Sequence, residues 1–243
     1  MMPELPSSPT VVVLALGVCG CGAEIGAPPA EPVAVIQALL IAGDSQQTAW
    51  VEWRAHADSS FGPEVRPVEP ALVQILVILP DGSSVPFAPA LGVPGRFDAA
   101  VTVDPGSRYR LTGTVAGVAL AGETTVPDPL TVRVPAQDTV NGNSCVGSLL
   151  CQLPYRWFAA GAAAYLYVQS ESDTSRLRDF GWTQDTVGVI QLLRGTGTEH
   201  LIVLALEEHA ASFLTVTTPK SSVSGIFGLF GAATRAERWV AWQ

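Results

Sequence analysis

Arg108-Tyr109-Arg110-Leu111-Thr112-Gly113-Thr114-Val115 alternates with a period of two, setting Tyr109, Leu111, Gly113 and Val115 against Arg110, Thr112 and Thr114. That pattern marks a strand with one face on a core and the other in solvent. Asp104-Pro105-Gly106 precedes it and Ala116-Gly117 follows it. Both are turn sequences, because proline presets φ and glycine reaches positive φ without strain. Working outward, the same alternation of short strand and explicit turn recurs. Ala34–Ala42, Gln47–Ala55, Ala71–Leu79, Arg96–Val103 and Val118–Val126 read as strands, punctuated by Pro80-Asp81-Gly82 and Pro94-Gly95. Short strands at this spacing predict an all-β sandwich. Val126-Pro127-Asp128-Pro129 then breaks the pattern and reads as a domain exit.

The second half resumes with Leu130–Val134, and Trp157 followed by Ala162, Tyr165 and Tyr167 is similar to the early strands of a fibronectin-type sandwich. Val187–Leu193 and His200–Leu206 read as further strands, and Ser221–Gln243 as a closing apolar strand carrying Trp239 and Trp242. The exception is Leu206–Leu214, where Leu206, Ala210 and Leu214 share one helical face. The predicted fold is therefore all-β: two consecutive immunoglobulin/fibronectin-like sandwiches, residues 33–128 and 129–243, with one short helix in the second. A sandwich of this kind takes about 100 residues, so the length accommodates both.

Hydrophobic residues make up 48% of the chain and charged residues 14%, a balance that affords a sizeable core. The net charge of -9 excludes the basic face that nucleic acid requires. It also excludes charge-driven attachment to anionic lipid. Val11–Cys21, VVVLALGVCGC, is too short an apolar run to span a bilayer, but it suits the core of a secretory signal. Gly20 directly before Cys21, with Val18 three positions before it, resembles the bacterial lipoprotein cleavage site. The resemblance implies a signal peptide over 1–20, acylation of Cys21 and export to the outer membrane. Met1–Thr10 departs from that pattern, since it has no Lys or Arg and contains Glu4. Gly22–Pro32 is rich in Gly, Ala and Pro and reads as a tether over 21–32.

Cys145 and Cys151 would be the two other cysteines of the exported chain. An even count in an exported protein reads as a disulfide. The alternatives are two independent buried thiols or half of a metal site, although no His or further Cys stands nearby to complete a zinc tetrahedron.

Three stretches carry a family resemblance. They are Pro67–Ile75, the run from Gly95-Arg96-Phe97 through Asp104–Leu111 to Thr125-Val126-Pro127, and Ser221-Ser222-Val223-Ser224-Gly225-Ile226-Phe227-Gly228-Leu229-Phe230-Gly231. Together they resemble an uncharacterised family of bacterial lipoproteins, commonly encoded beside TonB-dependent outer-membrane receptors. Ser222 and Ile226 depart from its usual form, in which Asn and a second Gly are commoner. The resemblance implies a location and a receptor as neighbour, and carries no catalytic residue.

Gly225, Gly228 and Gly231 recur at every third position, but bulky apolar residues fill the gaps and no Lys-Ser/Thr follows. A phosphate loop needs those features, so the three glycines are expected where backbone approaches closely. Ser144 in Gly142–Gly147 has one residue too many for a nucleophile elbow. His56, His200 and His209 lack metalloprotease spacing. Glu207 and Glu208 read as a solvated helix end, with a paired-carboxylate Ca²⁺ site as the alternative. Trp50 and Trp53 should point to opposite faces of one strand. No catalytic constellation, metal site or cofactor site is expected. The function expected is that of an anchored accessory or ligand-binding protein working with a receptor; the alternative is a structural or adhesive surface module, with an enzyme least favoured.

Overall fold

The computed structural model describes residues 32–54, 66–133, 139–140, 145–146, 150–159, 165–172, 177–183, 187–193, 198–215 and 219–242. The expected signal peptide, the acylation site Cys21, His56 and Ser144 lie outside the described residues. Residues from Glu31 onward form one compact unit, whose described elements are all β apart from a 3-10 turn at Pro70–Leu72 and one short α-helix.

The sheets follow the expected strands closely. A five-stranded sheet has the order β18 (Val223–Ser224), β9 (Val118–Thr125), β8 (Arg108–Val115), β4 (Val73–Ile78), β5 (Ser84–Pro86). A ten-stranded sheet runs β15 (Leu177–Thr183), β14 (Tyr165–Ser172), β17 (Thr198–Leu206), β19 (Phe227–Trp242), β1 (Val33–Ala42), β2 (Gln47–Arg54), β7 (Arg96–Ala99), β6 (Ala88–Pro89). β3 (Arg66–Pro67) pairs with β2, and β11 (Thr139–Val140) with β19. In the third sheet β13 (Leu150–Ala159) pairs with β10 (Leu130–Arg133), β12 (Cys145–Val146) and β16 (Val187–Leu193). The helix, α1, spans Glu208–Thr215.

Alternation decides which face is buried. Tyr109, Leu111 and Val115 of β8 enter the core with Ile75 and Val77 of β4 and meet Ile36, Ala38, Leu40, Phe97 and Phe230 across the sandwich. The Tyr109 hydroxyl, otherwise buried, accepts the backbone N–H of Asp104 at 2.9 Å. A tyrosine that bonds back to backbone a few residues upstream is the corner found in immunoglobulin-type sandwiches. Gln47, 1% exposed, closes the β1–β2 corner: its Oε1 accepts Ile41 N–H at 2.7 Å, and its Nε2 donates to the carbonyls of Asp44 and Val101. A buried amide with its donors and acceptor engaged fixes a corner without an unsatisfied polar group.

Strands from both sides of the expected boundary at Asp128 share one sheet. β19 pairs in parallel with β1 from Val35↔Phe227 to Ala42↔Thr234. Its other edge is antiparallel to β17 from Thr198↔Ala241 to Leu206↔Ala233. Thr234, itself buried, donates its hydroxyl to the Asp128 carbonyl at 3.1 Å, tying the expected exit segment to the closing strand. The halves 33–128 and 129–243 are thus interlocked through β1 and β19. The expected helix begins one residue after Glu207, and its buried side carries Ala210, Ala211 and Phe213, whereas Leu214 is exposed.

The β8–β9 hairpin turns through two residues with positive φ, Ala116 at 49° and Gly117 at 80°, between the paired Val115 and Val118. This is the mirror-image turn that matches strand twist and favours Asn-Gly. Ala116 holds a strained conformation there, pinned by its N–H donating to Leu72 O at 2.8 Å. Ala116→Asn should therefore raise unfolding stability by about 0.5–1 kcal/mol. An unfolding midpoint in urea that stays put or falls would contradict this account of the turn.

Candidate functional site

The segment Ser221–Phe227 helps to line an apolar cleft of about 530 Å³. Val33 at the start of β1, Trp53 near the end of β2, Val118 after the hairpin turn, and Ile226 and Phe227 before and at the start of β19 form its walls. Val33 and Val118 are exposed at its rim, and Trp53 and Ile226 pack inward against the sandwich core. Pro32, directly before β1, also lines it.

The cleft holds its shape through the edge of β19 that β17 leaves uncovered. β17 reaches only as far as Ala233. Beyond that point Glu207 N–H donates to Ala232 O at 3.0 Å. Next, Ser222 Oγ accepts the N–H of Phe230 at 2.8 Å and donates to its carbonyl at 3.1 Å. Ser222 N–H donates to Gly228 O at 3.0 Å, and Ser221 Oγ accepts Gly228 N–H at 3.0 Å. Two serines thus stand in for a strand, satisfying backbone groups that would otherwise be left unpaired. An asparagine at 222 would offer the same donor and acceptor.

The three glycines sit where neighbouring chain comes closest. Gly225 has φ +87°, and a Cβ there would overlap the Ala119 carbonyl of β9. A Cβ at Gly228 would overlap the Ile36 carbonyl and lie 2.6 Å from its Cγ2. At Gly231 it would fall 2.7 Å from Ala210 Cβ and 2.9 Å from Glu207 Oε1. Gly228 and Gly231 lie within β19. No phosphate cradle is formed, because Ile226, Phe227, Leu229 and Phe230 pack on either side of this strand.

Glu207 corrects the expected solvated helix end. It is 9% exposed, and its carboxylate accepts Ala210 N–H on Oε1 and His209 N–H on Oε2, both at 2.7 Å. It therefore caps α1, filling two of the donors that a helix start leaves open, while Glu208 faces solvent. With Glu207 engaged in this way, the pair is not arranged as a divalent-cation clamp. Among the described residues no group of three or more His, Cys, Asp or Glu is placed to hold a metal ion. A second cleft of about 540 Å³ runs past this cap to Arg108 and Asp128, where Arg108 pairs with Glu123.

His200 and His209 do not converge. His209 lies beside Glu207 in α1, whereas His200 on β17 stacks on Trp239 with centroids 4.2 Å apart and bonds Glu237 at 2.9 Å. Trp50 is 39% and Trp239 58% exposed, and Trp53, on the opposite face of β2 from Trp50, packs inward as alternation requires. Sequence reasoning missed Ser221, Ser222 and Glu207 as structural groups. The only sign of the serines was their place in the glycine motif.

No family model matches the chain, and no curated protein shows significant similarity to it. Among solved structures it is similar to the BSP domain of a biofilm-associated protein, at 12% identity and a TM-score of 0.26, covering 86% of this chain and 30% of that one. It is also similar to the FN1–FN3 domains of chicken CNTN1, at 12% identity and a TM-score of 0.25, covering 89% and 67%. Titin domains A168–A170 align at 14% identity and a TM-score of 0.26, covering 88% and 68%.

If Ser222 replaces a strand, Ser222→Ala should lower stability by about 1–3 kcal/mol, the range for a backbone group left unsatisfied, and Ser222→Asn should recover most of the loss. Equal melting temperatures for wild type and Ser222→Ala would contradict it. Gly228→Val should destabilise by more than the ~1 kcal/mol typical of point substitutions, measured by chemical unfolding.

Proposed function

We propose that this chain is a lipid-anchored binding module of the outer membrane, held at Cys21, whose apolar cleft receives an exposed apolar segment of a TonB-dependent receptor. The observation that carries this reading is the position of the cleft at the start of β1. Pro32, Val33 and Ala34 line it, and Cys21 lies eleven residues before Pro32. Even a fully extended tether of that length spans at most about 40 Å, so an acylated Cys21 would hold the cleft within reach of a receptor's membrane-proximal surface. Its walls are apolar side chains, and the serines nearest to it are already engaged with backbone. Such a surface recognises apolar side chains rather than charged ligands. The choice of receptor class follows the family resemblance.

The test is site-specific photocrosslinking in cells that co-express a TonB-dependent receptor. A crosslinking residue at Val118, on the cleft rim, should capture the receptor. One at Ser83, in the turn at the far end of the β4–β8 ladder from Val115, should not. Capture at neither position, or equally at both, would overturn the reading. Cys21→Ala should separately shift the protein from the membrane to the soluble fraction; an unchanged membrane fraction would remove the anchor from the proposal.

A further inference from the structure

β12 and β13 place Cys145 directly opposite Cys151 in an antiparallel ladder, with Val146 opposite Leu150 as the adjoining pair. Opposed residues in such a ladder have Cα atoms about 4.5–5.5 Å apart, inside the roughly 4.4–6.8 Å that a disulfide spans. They also stand on the same face of the sheet. A slip of one residue in register would put them on opposite faces. β13 is itself held on its other edge by β16, from Leu150↔Leu193 to Arg156↔Val187. A metal site is disfavoured by composition, since residues 139–156 contain no His, Asp or Glu to complete it.

We propose that Cys145 and Cys151 form a cross-strand disulfide that locks the β12–β13 hairpin. Each thiol loses its proton, one S–S bond forms, and two electrons pass with the two protons to a disulfide oxidant such as oxidised glutathione or an exported thiol oxidoreductase, which leaves as two thiols. The inference rests on register and is independent of the anchor and of the receptor.

The purified full-length chain is treated with oxidised glutathione, quenched with iodoacetamide and digested with trypsin. Both cysteines then fall in one peptide, residues 134–156, bounded by Arg133 and Arg156. The expected peptide is lighter by two hydrogens, takes up no alkyl group until reduced, and stays joined after a further cut at Leu149 or Leu150. The oxidised wild type should melt above its reduced form, whereas the Cys145→Ser, Cys151→Ser double variant should melt alike in both conditions. Two alkylated cysteines in the oxidised, folded chain would overturn the assignment. So would glutathione on each cysteine, a bridge to Cys19 or Cys21, or the same redox dependence in the double variant.

Discussion

The parallel pairing of β1 with β19 is the constraint on which the other elements depend. The pair joins residues near 36 to residues near 230, and both strands are buried on two faces. Ile36, Ala38 and Leu40 meet Phe230 and Ala232 in the sandwich core, while Leu229 and Ala233 pack on the opposite side with Ala210, Ala211 and Phe213 of α1. Fully burying one such side chain contributes about 1.5–3 kcal/mol, so the two strands together anchor both cores. Contacts this distant in sequence form only after a long loop has closed, which makes them a late and slow part of folding. The two halves therefore share their central strands and cannot part without breaking this ladder.

The same pairing explains the unusual chemistry of segment 221–231. A strand flanked by β1 on one edge needs partners on the other, and β17 supplies them only to Ala233. Glu207, Ser222 and Ser221 continue the edge in turn. Bringing the Glu207 cap and Ala210 over β19 leaves no room for a side chain at Gly231, and the close approach of Ile36 leaves none at Gly228. The cleft opens just beyond the end of this relay, so the groups that complete the ladder also fix the positions of Ile226 and Phe227 in its wall.

Much of this was legible in the sequence because alternation and turn chemistry are local. Tyr109, Leu111 and Val115 announce their own buried face, and Ala116-Gly117 announces the hairpin. The glycines at 225, 228 and 231 could be read as sites of close approach because bulky residues separate them. The partner strand could not be read. Ser221–Gln243 appears as one more apolar strand, and nothing local says that it runs parallel to a strand nearly two hundred residues earlier. Glu207 was opaque for another reason. Helix caps are usually Ser, Thr, Asp or Asn, and a glutamate beside a second glutamate reads as a solvated end until packing buries it. The cleft, being a product of β1, β2, β9 and β19 together, left no local signal at all.

The β19 ladder and the cleft beside it can be probed separately, because different side chains build them. Ser221, Ser222, Gly228 and Gly231 complete or clear the ladder, whereas Val33 and Val118 present exposed apolar surface to the cleft. Val118 lies on β9, outside the β19 ladder, and is 45% exposed, so a polar residue there removes apolar surface without opening a cavity. Surface changes of that kind usually move stability by no more than about 0.5 kcal/mol. A loss of partner that follows such a change is therefore a statement about recognition, whereas a loss that follows a change at Gly228 reports the ladder first. The cleft borders the β1–β19 ladder, so a partner seated there would read the point where these two strands are fastened together.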